Sequence, residues 1–127
     1  MKLASIDVGL KRIGVAICLA SNIVTPQNAI LRKNRNQAAR DVNAFLKEWE
    51  IDKLIVGFPS SSEDTQNRIK HFVGLLELQI PFEFQEENMS SIEAEEMMKG
   101  EIKYKRDGRV DSLAAKIILE RFLAKKP

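Results

Sequence analysis

The sequence predicts an α/β domain built on a five-stranded mixed sheet with helices against it. Three observations predict this class. Residues 2–31 hold three apolar segments separated by short turns, the pattern of an antiparallel meander. From Ala38 onward the apolar residues move to helical spacing, and helical stretches alternate with two further short strands. The resulting order, β-β-β-α-β-α-β-α-α, needs crossover connections, which lay helices over a partly parallel sheet.

The elements follow in chain order. Lys2 to Asp7 is the first strand, and Ile13 to Leu19 is apolar enough to be a strand buried on both faces. Val8 to Arg12 joins them as a hairpin with Gly9 in the turn. Asn22 begins another turn, and Ile23 to Leu31 forms the third strand, where Pro26 marks an edge or a bend. Ala38, Val42, Phe45, Leu46 and Trp49 share one helical stripe, with Asn34 or Asn36 as the cap. Leu54-Ile55-Val56 is a short buried strand that Gly57 and Pro59 end. After the polar loop Ser60 to Asp64, a second amphipathic helix carries Ile69, Phe72, Val73 and Leu76. Pro81 to Glu86 is the fifth strand, with Phe82 and Phe84 on one face. Ser90 and Glu93 make a capping box for a helix that Gly100 closes. A basic loop, Lys103 to Arg109, leads to a last helix with Leu113, Ala114, Ile117, Ile118 and Phe122.

Bulk properties narrow the class of function. A chain of 127 residues suits one domain, residues 1–127, able to bury a core without staples. Apolar residues at 44% and charged residues at 30% are a globular mixture. The net charge of +2 is too small to specify a partner, so any nucleic-acid surface has to be a local patch. With Cys18 and His71 each alone of their kind, neither a disulfide framework nor a zinc set can form within the chain. Asp7 interrupts any secretory apolar region, and no apolar run nears the roughly 18 residues of a membrane span. The expectation is a cytoplasmic protein that does not engage membranes.

Three acids stand at element ends. Asp7 closes the first strand, where phosphates and metals approach a sheet. Gly9 beside it allows close backbone approach, and Lys11 and Arg12 add positive charge. The fifth strand ends in Gln85-Glu86-Glu87-Asn88, whose adjacent glutamates point to opposite faces, so one of the two can join a shared site. Asp111 opens the last helix. An acid there also complements the helix dipole, but helical spacing groups it with Ala115, Ile118 and Phe122, on the covered side. Carboxylates from three elements are the donor set for magnesium, or manganese, which takes hard oxygen ligands. A pair of such ions about 3.5–4 Å apart can activate water against a phosphodiester. Lys103, Lys105, Arg106 and Arg109, just before Asp111, read as phosphate-backbone contacts, and Tyr104 among them could stack on a base. His71, beside an apolar stripe, reads as packing or surface.

The opening from Asp7 to Ala16, the segment Ile55-Val56-Gly57-Phe58-Pro59, and Asp111-Ser112-Leu113-Ala114-Ala115 resemble the YqgF/RuvX family. The resemblance runs from Leu3 to Leu123. It implies an RNase H-like fold and a nuclease, either of pre-16S rRNA in ribosome biogenesis or of Holliday junctions. It also implies catalytic, metal-binding roles for Asp7, Glu87 and Asp111. Family members usually carry Asp-Glu-Arg then Leu-Thr-Thr where this chain has Glu86-Glu87-Asn88 then Met89-Ser90-Ser91. The second position keeps its glutamate, which makes Glu87 the preferred ligand and Glu86 the alternative acid. Asn88 in place of arginine removes a bidentate phosphate contact. Gly9, Lys11, Arg12 and the Lys103 to Arg109 cations are the expected nucleic-acid contacts.

Three functions compete at this point. One is a metal-dependent endonuclease on structured RNA, and another is a junction-resolving DNA enzyme, which would favour a homodimer over a monomer because two symmetric cuts need two sites. The third is a non-catalytic nucleic-acid-binding module. The retained acids favour catalysis. A sugar-kinase or actin-like ATPase also uses an Asp-x-Gly hairpin, but that architecture pairs two such domains.

Overall fold

A computed structural model of the chain describes residues 1–86 and 112–125. In order these are strands β1 (Leu3–Val8), β2 (Arg12–Cys18) and β3 (Thr25–Leu31), helix α1 (Arg35–Glu48), strand β4 (Lys53–Phe58), helix α2 (Glu63–Leu76), strand β5 (Phe82–Glu86) and helix α3 (Leu113–Lys125). One sheet contains all five strands in the spatial order β3-β2-β1-β4-β5. The first three strands pair antiparallel, while β4 lies parallel to β1 and β5 parallel to β4. The mixed sheet expected from the sequence is therefore present. The expected helix between Ser90 and Gly100 lies outside the described residues.

Local chemistry accounts for the element ends. Ser21 and Asn22 both have positive φ, 58° and 57°, and the Ile23 amide donates to the Ala20 carbonyl at 3.3 Å. This tight turn matches the right-handed twist of the strands it joins, and it delays the third strand from Ile23 to Thr25. Pro26 lies in β3, an edge strand, as its missing amide hydrogen requires. Asn34 caps α1 in a full capping box with Gln37. Trp49, expected inside that helix, is its C-cap. Ser62 caps α2, so the polar loop ends in helix at Glu63, and β4 continues two residues beyond Val56 to Phe58.

The sheet has two unlike faces. On one, α1 and α2 cover Ala4, Ile6, Ile13, Val15, Leu54 and Val56, adding Val42, Leu46, Ile69, Phe72 and Leu76 to the larger core. On the other, α3 lays Ala115, Ile118, Leu119 and Phe122 over Leu3, Ala16, Cys18 and Ile55. Alternating residues of β1, β2 and β4 thus serve opposite cores, which explains why β2 is buried on both sides.

Candidate active site

Asp7 lies within β1, one residue from its end, because the hairpin ladder continues through the Val8–Ile13 pair. It shares the parity of Leu3, which packs under α3, and of Ser5, whose hydroxyl donates to the Ala115 carbonyl of α3 at 2.6 Å. Asp7 therefore projects onto the α3 face, half-buried, rather than out of the sheet's end. Its cross-strand partner on β2 is Gly14. On the other side, in β4, Gly57 follows the Ile6–Val56 pair. Neither neighbour has a side chain, so the sheet beside the Asp7 carboxylate is bare of side chains on both flanks.

The start of α3 is pinned at the same place. Ser112, fully buried, accepts a hydrogen bond from the Val15 amide at 3.0 Å. The β2–β3 register shifts between Ile13 and Val15. At that irregularity a strand amide turns to the serine, and the helix start is bonded to the residue after Gly14. Ser5 then holds the first turn of α3, and the Lys125 ammonium donates to Gln85 Oε1 at 3.0 Å near its end. The helix thus crosses the sheet from β2 to β5, fixed by polar contacts at both ends. Sequence reading quoted Ser112 only as part of a motif and gave Ser5 no role. The signal available was a hydroxyl residue in an otherwise apolar strand, and another between Asp111 and the apolar helix.

The fifth strand divides by face as well. Phe84 pairs with Val56 and stacks on Phe58 at 4.5 Å between ring centroids, on the α2 side. Glu86, which pairs with Phe58, shares that side and is exposed. Gln85, paired with Gly57, is buried on the α3 side with Asp7. Glu86 thus lies on the face of the sheet opposite to Asp7. Glu87, Asp111, Tyr104 and the cations Lys103, Lys105, Arg106 and Arg109 lie outside the described residues. Among the described residues no three metal-ligating side chains converge. Asp7 supplies a hard carboxylate oxygen, a donor of the kind magnesium takes.

The β1–β2 turn is braced rather than open. The Gly9 amide donates to the Arg12 carbonyl at 3.0 Å, and a Cβ at Gly9 would meet that oxygen at 2.5 Å. The close approach that Gly9 allows is thus to its own hairpin. The Arg32 guanidinium donates to the Gly9 carbonyl at 2.9 Å, and the Arg32 amide to the Lys11 carbonyl at 2.9 Å. Lys11 and Arg12 are exposed in this held turn. His71 is an exposed residue of α2, its Nε2 accepting from Arg35 Nη1 at 3.2 Å. Among the described residues no helix is long and apolar enough to cross a membrane.

Residues 1–125 match the model of a family described as "RuvX: Holliday junction resolvase". The chain belongs to the RuvX family. It is by that membership a nuclease, a hydrolase acting on phosphodiester bonds. A Sulfurovum sp. protein named "Putative pre-16S rRNA nuclease" is 66% identical over 127 residues, covering 98% of this chain and 99% of the relative. One from Sulfurimonas denitrificans with the same name is 52% identical over 129 residues, covering 99% of each. Among solved structures, T. thermophilus RuvC in complex with Holliday junction substrate superposes with a TM-score of 0.60 at 12% identity, over 98% of this chain and 97% of that one. At that identity the likeness concerns the fold, and the RuvX chain has the RNase H-like fold.

Proposed function

We propose that this RuvX chain, acting as one nuclease domain over residues 1–127, hydrolyses phosphodiester bonds of the precursor of 16S rRNA in a reaction that depends on a divalent metal ion. The observation that carries the reading is the placement of Asp7. It projects half-buried onto the α3 face between Gly14 and Gly57, at the carboxyl end of a central strand, and the start of α3 is tied beside it through Ser112. The carboxyl ends of parallel strands are where α/β sheets bind ligands. The names of the close relatives support the RNA substrate.

Asp7, Glu87 and Asp111 are the residues that would hold magnesium or manganese. When bound, the ion would lower the pKa of a coordinated water and offset charge on the phosphate. Asp7 supplies the carboxylate from the centre of the sheet. Ser112 and Ser5 keep the segment after Asp111 docked against β1 and β2. Glu87 is our second carboxylate because Glu86 occupies the other face. The exposed turn Lys11–Arg12 contributes backbone contacts to the nucleic acid. The family description names a second reading, cleavage of Holliday junctions, for which two symmetric cuts would call for a homodimer.

One experiment separates the readings. Purified protein is incubated with precursor rRNA, duplex DNA and a four-way junction, with and without magnesium, beside Asp7→Asn. The proposal expects cleavage of the rRNA only with magnesium. Because losing a residue that merely orients a metal ligand costs about 10–100-fold, losing a ligand should cost more than 100-fold. Undiminished cleavage by folded Asp7→Asn protein would remove Asp7 from the site. Cleavage of the junction alone would decide for the DNA reading.

A further inference from the structure

The cations that the sequence reading passed over gather on the opposite side of the β1–β2 turn from Asp7. Arg32 and Lys33 follow β3, Arg35 opens α1, and Arg68 and His71 come from α2. With Leu10 of the turn they line an open cleft of about 590 Å³. No carboxylate is among the residues that line it. None of these four Arg and Lys side chains forms an ion pair among the described residues. In a chain with 20 basic and 18 acidic residues, so one-sided a cleft is a local concentration of charge.

Folding accounts for Arg32 but not for the other cations. The first turn of α1 holds no acid and begins with Arg35, whereas α2 opens with Glu63 and Asp64. Cations at a helix N-terminus oppose its dipole and repel one another. Arg32 has a structural role, since it holds the Gly9 carbonyl and lies over the Phe72 ring at 5.6 Å. Lys33, Arg35 and Arg68 are exposed, and among the described residues the side-chain bonds they make are those of Arg35 to His71 and of Arg68 to Thr65. They are placed to meet an anion from outside.

The position says which anion. β1 ends, β2 begins and β3 ends at one edge of the sheet, as the pairs Val8–Ile13 and Arg12–Leu31 require. Asp7 and the cleft therefore share that edge, with Asp7 on the α3 side, the cleft on the α1/α2 side, and the Leu10–Lys11–Arg12 turn between them. We propose that the cleft binds the phosphodiester backbone of the substrate nucleic acid beyond the scissile bond, the strand passing from Asp7 over the turn into the cleft. Cations spread over two helices and the β3–α1 connection suit a chain of phosphates better than one small anion. The proposal rests on the nuclease reading above but concerns binding, and it stands or falls separately.

The test uses the full chain and a 5′-fluorescein RNA hairpin with single-stranded extensions, in EDTA so that no cleavage intervenes. Fluorescence anisotropy gives Kd across a salt series for the native protein, Lys33→Ala/Arg35→Ala/Arg68→Ala, and Arg35→Lys/Arg68→Lys. Each phosphate contact contributes roughly 0.7–0.9 to the slope of log Kd against log salt. Losing three contacts should lower the slope by about 2 and weaken binding about 10-fold or more, while the Lys variant keeps most of both. The same salt series in the Asp7→Asn background should show the same loss. An unchanged slope and Kd in a triple variant with native melting temperature would overturn the proposal. So would an RNA affinity that survives the triple variant while only competition by inorganic phosphate is lost, since the cleft would then hold a small anion. If Asp7→Asn instead cleaves normally while the cleft variant loses affinity, the metal site fails and the cleft stands.

Discussion

The two faces of the sheet are covered by different means. Two helices pack on the first, where Phe72, Leu76, Ile69 and Val42 are almost wholly buried against apolar strand residues. Among the described residues, one helix packs on the second. Its smaller apolar cluster is interrupted by buried Ser5, Ser112 and Gln85, each of which makes a hydrogen bond that crosses to or from α3. Burial of apolar area is non-directional, so the first face is tolerant in detail and strong in sum. Hydrogen bonds are directional and costly to leave unmade, so the second face fixes α3 at defined points. Asp7 lies on the second face. The face that carries the candidate chemistry is the one that holds position by polar contacts.

Ile69→Ala should break the first face. Truncating a buried isoleucine costs about 2–5 kcal/mol, which urea unfolding would measure as a lower midpoint. At a temperature where the variant stays folded, cleavage should stay near normal, because α3 and Asp7 are not on that face. A large loss of activity in the folded variant would mean that the faces are coupled.

Ser112→Ala should sharpen the contrast. It leaves the Val15 amide without its acceptor, at a cost of about 1–3 kcal/mol. It should also lower cleavage about 10-fold, as loss of a positioning contact does. Paired denaturation and single-turnover measurements would read both. A variant equally destabilised but fully active would show that the serine serves only stability.

The smallest expected effect is at β5. Glu86→Gln should change cleavage by less than about 2-fold, since Glu86 lies across the sheet from Asp7, whereas Glu87→Gln should abolish it. Matched assays at fixed magnesium decide the point. Loss of activity in Glu86→Gln alone would move the site to the other face of β5 and remove Glu87 from it.

Some of this was legible in the residues themselves. Alternation and helical spacing marked every described strand and helix, because period 2 and period 3.6 follow from backbone geometry. The ends moved by one or two residues where a turn or cap intervened, as at Ser21–Asn22 and Ser62. The Asp-x-Gly hairpin marked Asp7 as a site residue, but the direction of its side chain depended on whether Val8 continued the ladder.

The sequence by itself determined the order of elements, the apolar stripes and which residue types could supply chemistry, since these depend on neighbours along the chain. Only the tertiary structure decided that Asp7 stands between two glycines from different strands, that Glu86 belongs to the other face, that Ser112 bonds a strand amide 97 positions away, and that cations of the β3–α1 connection, α1 and α2 share one cleft. Those facts depend on strand order and register. Both are set by which apolar faces bury together, and that choice is made by the whole core rather than by any local segment.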